Sequence, residues 1–436
     1  MKRVLIISPH FPPANAADMQ RVRMSLPYFK EFGWEAEVVT VNENYVDMIK
    51  DSLLLESIPH HIIIHKVKAF SKTLTSKIGL GSLALRSLWF FRKKVNQLLK
   101  SKKFDLIYFS TTEFPVCILG SYWKNKFNIP YVIDMQDPWH SDYYQNKPKS
   151  ERPKKYWFSY RLHKFLEPIA MKDVGGLISV SEKYIITLKD RYSNLATVPY
   201  KVITFGANEL DFKIAHENNE QLKLHYTYSS KQVNIVYVGR GGYDMRDAVE
   251  ILFRAFKIGL EKEPNLFENI HFHFIGTSYA PAGKGIATIS PVAEAENLSK
   301  YVTEYTNRIG FYDSIKQLIS ADGLLIIGSN DSGYTASKLY PYILAKKQLL
   351  GIFNEMSSAA KIITACNAGD LITFNDSLDK SYQILQRYIT NVKKQLPIST
   401  NFTAFKPYTA SSMTKSQVEL FNEVLISKQN VIKKYN

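Results

Sequence analysis

Four groups of residues in this 436-residue chain have the types and spacing to do chemistry. Near the midpoint the apolar run NIVYVG (Asn234–Gly239) leads into Arg240-Gly241-Gly242, and Arg246 follows at the start of the next helical pattern. Cations placed directly after a strand suit an anionic ligand, and the forked donors of Arg suit phosphate in particular; either Arg also reads as a solvated surface charge. Ser332–Lys338 (SGYTASK) precedes another expected helix, whose free N–H groups attract anions, while small Ala336 and Ser337 allow close approach. A Ser or Thr there is equally an ordinary N-cap, and Lys338 equally a surface lysine. Asp137 and His140 follow the run YVIDM. A carboxylate there can align a hydroxyl and an imidazole can shuttle a proton, although Asp137-Pro138-Trp139 also reads as a turn with a capping Asp. The fourth group flanks the first apolar run: Asn15, Arg21 and Arg23, with Glu113 a weaker candidate. Arg21 suits an anionic ligand or a salt bridge. His60-His61, His271 and His273 sit on or beside strands and read as structural. No metal-type cluster and no Ser/His/Asp nucleophile signature is evident.

The elements that must position these residues begin twice. Arg3–Ser8 (RVLIIS) runs into a small-residue loop, Pro9–Asp18, and a helical pattern over Met19–Phe32; Asn234–Gly239 repeats the device before a helix over Met245–Gly259. A buried parallel strand needs a continuous apolar run, and the loop after it faces the crevice where such sheets bind ligands. Further strands are expected at Ala36–Val41, Ile62–Val67, Asp105–Ser110, Tyr131–Met135, Gly176–Val180 and Val202–Phe205. The second half adds His271–Ile275, Gly323–Ile327, Leu349–Phe353 and Leu371–Phe374. Helical patterns alternate with them, including Val292–Tyr301, Thr335–Lys347 and a last amphipathic helix over Met413–Ser427. Such alternation predicts parallel sheets with right-handed crossovers. The polar stretch Asn208–Lys231 reads as the link between two domains, which the length also favours.

Composition is that of a soluble globular protein, 45% hydrophobic and 22% charged. The five-residue apolar run near the start is too short for a signal-peptide core, and no run reaches bilayer length. Cys117 and Cys366 are far apart, so no disulfide framework is expected and the reading is cytoplasmic. The formal charge of +16 concentrates in Arg86–Lys103, which holds no acid, and in Lys147–Lys164, where Lys154, Lys155, Arg161 and Lys164 mix with aromatic residues. Both read as core-facing helices with cationic backs or as contacts for an anionic membrane surface. Nucleic acid is disfavoured because no recognised module accompanies the charge.

Three segments carry a resemblance. ISPHFPPANAADMQRVRMSLPYFKEFGWEAEVVTV, VIDMQDPWHSDYY and GFYDSIKQLISADGLLIIGSNDSGYTASKLYPYILAKKQLLGIF occur in the order and spacing of the GT-B glycosyltransferases. Within them the chain resembles the retaining family-4 type of bacterial polysaccharide biosynthesis, over nearly its whole length. The resemblance implies an α/β GT-B fold: two Rossmann-like parallel-sheet domains facing a central cleft, with a C-terminal helix returning to the first. Residues 1–208 would take the acceptor, 209–405 the nucleotide-sugar donor, and 406–436 would cross back.

The activity implied is transfer of a sugar, with retention and without a metal or other cofactor, to an acceptor hydroxyl on a saccharide or lipid-linked saccharide. The implied donor set is Gly239, Arg240, Arg246, Gly276, Tyr312, Tyr334, Thr335, Ala336, Ser337 and Lys338. Asn15, Arg21 and Glu113 are the implied acceptor contacts, with Asp137 and His140 catalytic. Two departures stand out: the glutamates that family members usually carry eight positions apart are here Gly333 and Pro341, and Asn15-Ala16-Ala17 replaces glycines in the first loop. The first departure motivates one alternative, a catalytically silent binding or scaffold protein; a nucleotide-sugar 2-epimerase on the same fold is a further enzyme alternative.

Overall fold

The structure, a computed structural model, describes the chain except residues 143, 144, 146, 147, 150, 151, 153–155, 227, 228, 281, 282, 333, 335 and 436, and the side chains of 78 and 428–435. Lys154, Lys155, Gly333 and Thr335 therefore lie outside the described residues. The chain divides into two units: residues 1–206 with 410–436, and residues 207–409.

The first unit is built on seven parallel strands: β1 (Lys2–Ile7), β2 (Trp34–Val41), β3 (Ile63–Val67), β4 (Leu106–Ser110), β5 (Tyr131–Met135), β6 (Gly176–Ser179) and β7 (Tyr200–Val202). Their order is β3-β2-β1-β4-β5-β6-β7. The apolar runs continue along the central strands because both sheet faces are covered. On one face Leu5, Ile7, Phe109 and Ile133 pack with Phe91 and Val95 of the helix Leu83–Ser101. On the other, Val4, Ile6 and Tyr108 pack with Leu420, Phe421 and Val424 of the long helix Ala410–Tyr435. Phe421 lies 5.5 Å from Trp34 and 5.1 Å from Tyr108, ring to ring.

The second unit has six parallel strands: β8 (Val233–Val238), β9 (Ile270–Ile275), β10 (Val302–Tyr305), β11 (Gly323–Ile327), β12 (Leu349–Phe353) and β13 (Asp370–Thr373). Their order is β10-β9-β8-β11-β12-β13. In both sheets the order reverses beside the first strand of the unit, at β1/β4 and at β8/β11. Ligand crevices of doubly wound sheets lie at the carboxyl ends of the strands at such points. The fold class expected from sequence therefore holds.

Several elements differ from expectation for local reasons. The helix expected over Met19–Phe32 is α-helical only over Gln20–Ser25, since Pro27 lacks the N–H that would continue the ladder. The stretch Asn208–Lys231 is no plain linker, for it contains the helix Glu209–Glu217. The helix expected over Thr335–Lys347 spans only Leu339–Leu344, so Tyr334, Ala336, Ser337 and Lys338 lie ahead of it rather than within it. Arg86 is not part of a solvated cationic face: it is buried, donating to the carbonyls of Phe70 at 2.8 Å and Tyr45 at 2.9 Å. Both cysteines are free and buried. Among the described residues no helix is long and apolar enough to cross a membrane.

Candidate functional site

In the second unit the candidate donor residues gather at the end of β8. The strand delivers Tyr237 into the core and ends at Gly239, whose φ of +149° favours glycine. A Cβ at Gly239 would stand 2.7 Å from Nζ of Lys338, so a side chain there would displace the ammonium from its place. That ammonium donates to the Tyr237 hydroxyl and sits 4.3 Å from the centroid of its ring. The hydroxyl in turn donates to the Arg240 carbonyl at 2.6 Å, fixing the loop that carries the next cation. Burial, and then the charge of Arg240, pull the Lys338 pKa down to about 7, with Asp244 opposing. Desolvation is what pushes Tyr334 up to about 12.

The other donor candidates divide. Tyr334 lies in the electrostatic reach of Arg240 and Asp244 and stacks on Phe353 at 6.3 Å. Ala336 is buried and Ser337 exposed, in the loop before Lys338. Gly276 closes β9 with φ +74°. Arg246 opens the helix Arg246–Lys262, largely exposed and paired with Glu250 at 2.8 Å. Tyr312 is fully buried and donates to Asp211 at 3.2 Å; it is not among the groups that surround Lys338. The assembled part is thus Tyr237, Gly239, Arg240, Tyr334 and Lys338. Tyr237 and Asp244 carry no motif of their own and were missed; Tyr237 reads as one more apolar position within NIVYVG.

In the first unit polar groups crowd the ends of β1, β4 and β5. Asp18 is the hub. Its carboxylate meets Nδ1 of His10 at 3.0 Å and accepts from the Thr111 hydroxyl at 2.9 Å and the Thr112 N–H at 3.1 Å. Burial raises the pKa of Asp18, but the His10 bond and charge and the Thr contacts outweigh it and the net direction is down. Burial likewise lowers that of His10, and Asp18 together with the Glu113 charge reverses the sign, so His10 is raised. Neither residue was a candidate from sequence, where eight positions of loop separate them without a motif.

Asp137 belongs to this edge. It is exposed, yet desolvation and then the charge of Asp18 push its pKa up. His140 turns elsewhere: its ring lies 4.7 Å from Tyr160, its backbone N–H donates to Glu167 at 3.1 Å, and neither ring nitrogen has a hydrogen-bond partner among the described residues. Desolvation, then the charge of Arg191, lower its pKa, so the ring is neutral near pH 7. Glu113 accepts from the Ala84 N–H at 2.8 Å, at the amino end of the helix Leu83–Ser101, where an anion is favoured. Asn15 is buried, its N–H donating to the Ile49 carbonyl at 2.8 Å.

Arg21 takes the salt-bridge alternative. It is wholly buried, with Nε 2.6 Å from Asp134 and its terminal nitrogens on the carbonyls of Ile203 at 2.7 Å and Thr204 at 3.1 Å. Asp134 also accepts from Ser110 at 2.9 Å, Gln136 at 3.1 Å and Tyr108 at 3.2 Å. This network ties β1's following helix to β4, β5 and the segment after β7, which leaves Arg21 no surface for a ligand. Arg23 is buried too, donating to Gln20 at 2.8 Å. Among the described residues no three His, Cys, Asp or Glu side chains converge as metal ligands would.

No family model matches the chain and no curated protein matches it in sequence. Solved structures do match over nearly its full length. HepE of Anabaena, solved in complex with UDP, is 14% identical with a TM-score of 0.56, covering 97% of this chain and 100% of its own. The N-terminal domain of Candida albicans trehalose-6-phosphate phosphatase is 14% identical with a TM-score of 0.62, covering 97% of each chain. WaaG, a glycosyltransferase involved in lipopolysaccharide biosynthesis, is 14% identical with a TM-score of 0.54, covering 96% of this chain and 99% of its own. At such identities the likeness establishes the fold, which is GT-B.

Proposed function

We propose that the protein is a glycosyltransferase that moves a sugar from a nucleotide-sugar donor to an acceptor hydroxyl, with retention, in assembly of a cell-surface polysaccharide. The observation that carries this reading is the arrangement at the end of β8: the Lys338 ammonium rests on Tyr237 within the electrostatic reach of Arg240, beside Gly239 in a backbone conformation that favours glycine. A glycosidic C–O bond to a diphosphate breaks with its electron pair on the phosphate oxygen, and preorganised cations in a water-poor site stabilise that charge most. Lys338 and Arg240 supply it; Tyr334 borders the same place. On the acceptor side Asp137 aligns the hydroxyl, whose oxygen bonds to the anomeric carbon as its proton passes to the leaving phosphate. UDP in HepE and the activity of WaaG support a nucleotide-sugar donor.

Trp89, Trp157 and Phe165 are more than half exposed on helices of the first unit that also carry Arg92, Lys93, Arg161 and Lys164. They favour a peripheral place on an anionic membrane, with a lipid-linked acceptor. One observation favours the silent-scaffold alternative: Pro341 puts no carboxylate on the helix Leu339–Leu344 where the resembling family holds the donor ribose.

Thermal melts against a library of nucleoside diphosphates and nucleotide sugars decide first, because a ligand of the folded state raises Tm. The expected result is stabilisation by at least one nucleotide sugar, lost in Lys338→Met, followed by product formation with an added saccharide. Binding without product in any acceptor series would leave the scaffold, and product without acceptor the epimerase. No stabilisation by any donor would reject the reading.

A further inference from the structure

Nearly all of the chain's excess positive charge lies in the first unit, and on its surface two cations meet at a tyrosine rather than at a carboxylate. The helices Leu83–Ser101 and Leu119–Phe127 carry no acid. On the former, Trp89, Arg92, Lys93 and Asn96 recur at i, i+3, i+4 and i+7 and so share one face; on the latter, Tyr122 and Lys126 are one turn apart. We propose that Arg92, Asn96, Tyr122 and Lys126 form a binding site for a phosphomonoester carried by a lipid headgroup. The inference rests on the peripheral-membrane reading for the lipid, and on the cluster alone for the phosphate.

The cluster is built from the inside outward. Trp123 is fully buried, and its indole N–H, a donor only, donates to Oδ1 of Asn96 at 3.0 Å. That contact turns the Asn96 amide nitrogen toward Tyr122, whose hydroxyl oxygen accepts from it at 3.1 Å and from Nζ of Lys126 at 3.0 Å. The guanidinium of Arg92 covers the Tyr122 ring, 4.4 Å from its centroid. The phenolic oxygen thus spends its acceptor capacity within the cluster, and its own O–H remains to donate. Hydrogen bonds from Lys126, Arg92 and Asn96 pull the phenol's pKa down to about 8, so negative charge is favoured at this point before any ligand arrives.

A phosphomonoester fits this set better than a diester does. It carries nearly two charges at neutral pH, which matches the two cations, and presents three free oxygens to their donors. A diester has a single charge and two free oxygens. The forked donors of Arg92 suit phosphate geometry, and Lys126 adds a compact charge. Trp89 argues for a lipid as the source: it is 53% exposed, one turn before Arg92, with Nζ of Lys93 5.2 Å from its ring centroid. An exposed indole settles at the level of lipid headgroups, which brings the phosphate layer to Arg92 and Lys126.

Vesicle flotation of the full chain at low salt tests this, with phosphatidic acid as the monoester and phosphatidylglycerol as the diester, each in phosphatidylcholine at equal surface potential. The native protein binds the phosphatidic acid vesicles about fivefold more tightly, the worth of one hydrogen bond. Tyr122→Phe removes that preference and leaves binding to phosphatidylglycerol unchanged, because it takes away an oxygen and no charge. Arg92→Gln and Lys126→Gln weaken binding to both and remove the preference. Lys100→Gln, the same loss of charge further along the helix Leu83–Ser101, weakens both equally and keeps it. Soluble glycerol 3-phosphate, the same group without a membrane, competes only at millimolar concentration. The proposal is overturned if the native protein binds the two vesicles alike, if the preference survives Tyr122→Phe, or if Lys100→Gln abolishes it. Binding of glycerol 3-phosphate at micromolar concentration would overturn the lipid source. No binding to either vesicle would defeat the peripheral-membrane reading itself, an outcome distinct from binding without preference.

Discussion

The guanidinium of Arg240 is held in a two-point fork by the carboxylate of Asp244, Nη1 to Oδ1 at 2.7 Å and Nη2 to Oδ2 at 2.6 Å. Both side chains are partly exposed, so the pair adds little to stability. Its interest is geometric, because a diphosphate presents the same fork with more charge. Asp244 therefore aims Arg240 and competes for it. Arg240→Ala should weaken UDP binding by roughly ten- to a hundredfold, the loss of one charge-assisted contact. Asp244→Asn should strengthen it severalfold. Calorimetry reads both, and unchanged affinity in Arg240→Ala would remove this residue from the site.

Lys338 gives the same site a pH signature. With its pKa near 7 the ammonium is about half charged at neutrality. A bound diphosphate favours the charged form, so binding takes up protons and affinity falls as pH rises above about 7. Titration in buffers of different ionisation enthalpy should show that uptake, and Lys338→Met should abolish it. Equal heats in all buffers for the native protein would contradict the assignment.

The His10–Asp18 pair should stabilise the first unit over a bounded pH range. Asp18 is lowered from its ordinary 3.8, so its contribution is present above that value and lost as pH falls through the folded one. His10 is raised from 6.5, so its contribution is complete below 6.5 and lost as pH rises through the folded value. The window thus runs from about 3.8 to 6.5. His10→Asn should cost about 1.5–3 kcal/mol in urea melts at pH 5, as for a hydrogen bond to a charged group, and distinctly less at pH 9. A pH-independent loss would mean that packing alone is involved.

Arg21→Met should destabilise by about 3–5 kcal/mol, since it strands Asp134 as a buried charge. Pairing it with Asp134→Leu should restore part of the loss, the remainder belonging to Ser110, Gln136 and Tyr108, which lose their acceptor. UDP binding per folded molecule should be unaffected. A binding defect without loss of stability would return Arg21 to the ligand.

Vesicles containing anionic lipid should bind the protein at low salt and release it as ionic strength rises, because surface charges are screened over about 8 Å at physiological salt. Trp89→Ser combined with Trp157→Ser should weaken the binding at every salt concentration. Binding that ignores both changes would assign the basic helices to solvent.

What was legible in the sequence follows the physics of each signal. Central strands are continuous apolar runs because two faces are covered, so Val4–Ile7 and Leu324–Ile327 announce themselves. The edge strand β10, Val302–Tyr305, is half-buried throughout and reads VTEY, a pattern without such a run. The cations after β8 were visible because a loop after a strand is short in sequence. Arg21 was ambiguous because its partner, Asp134, lies on a strand far along the chain, and only tertiary pairing separates a ligand contact from an ion pair. His10 and Asp18 stayed hidden because their bond depends on the path of the intervening loop. Lys338 was visible as a charge; its loss of charge near neutrality depends on Tyr237 and Arg240 enclosing it.

The helix Ala410–Tyr435 belongs to the first unit although it follows all of the second. Gln417 donates to Ser25 at 2.9 Å, and Phe421 occupies the space among Phe29, Trp34 and Tyr108. On a ribosome, the unit made first is consequently the unit finished last. Its sheet emerges with one apolar face uncovered and waits through the synthesis of about two hundred further residues, at 5–20 residues per second, before its own helix arrives. For that interval the nascent chain presents an open hydrophobic surface, the condition in which a chain is most exposed to aggregation.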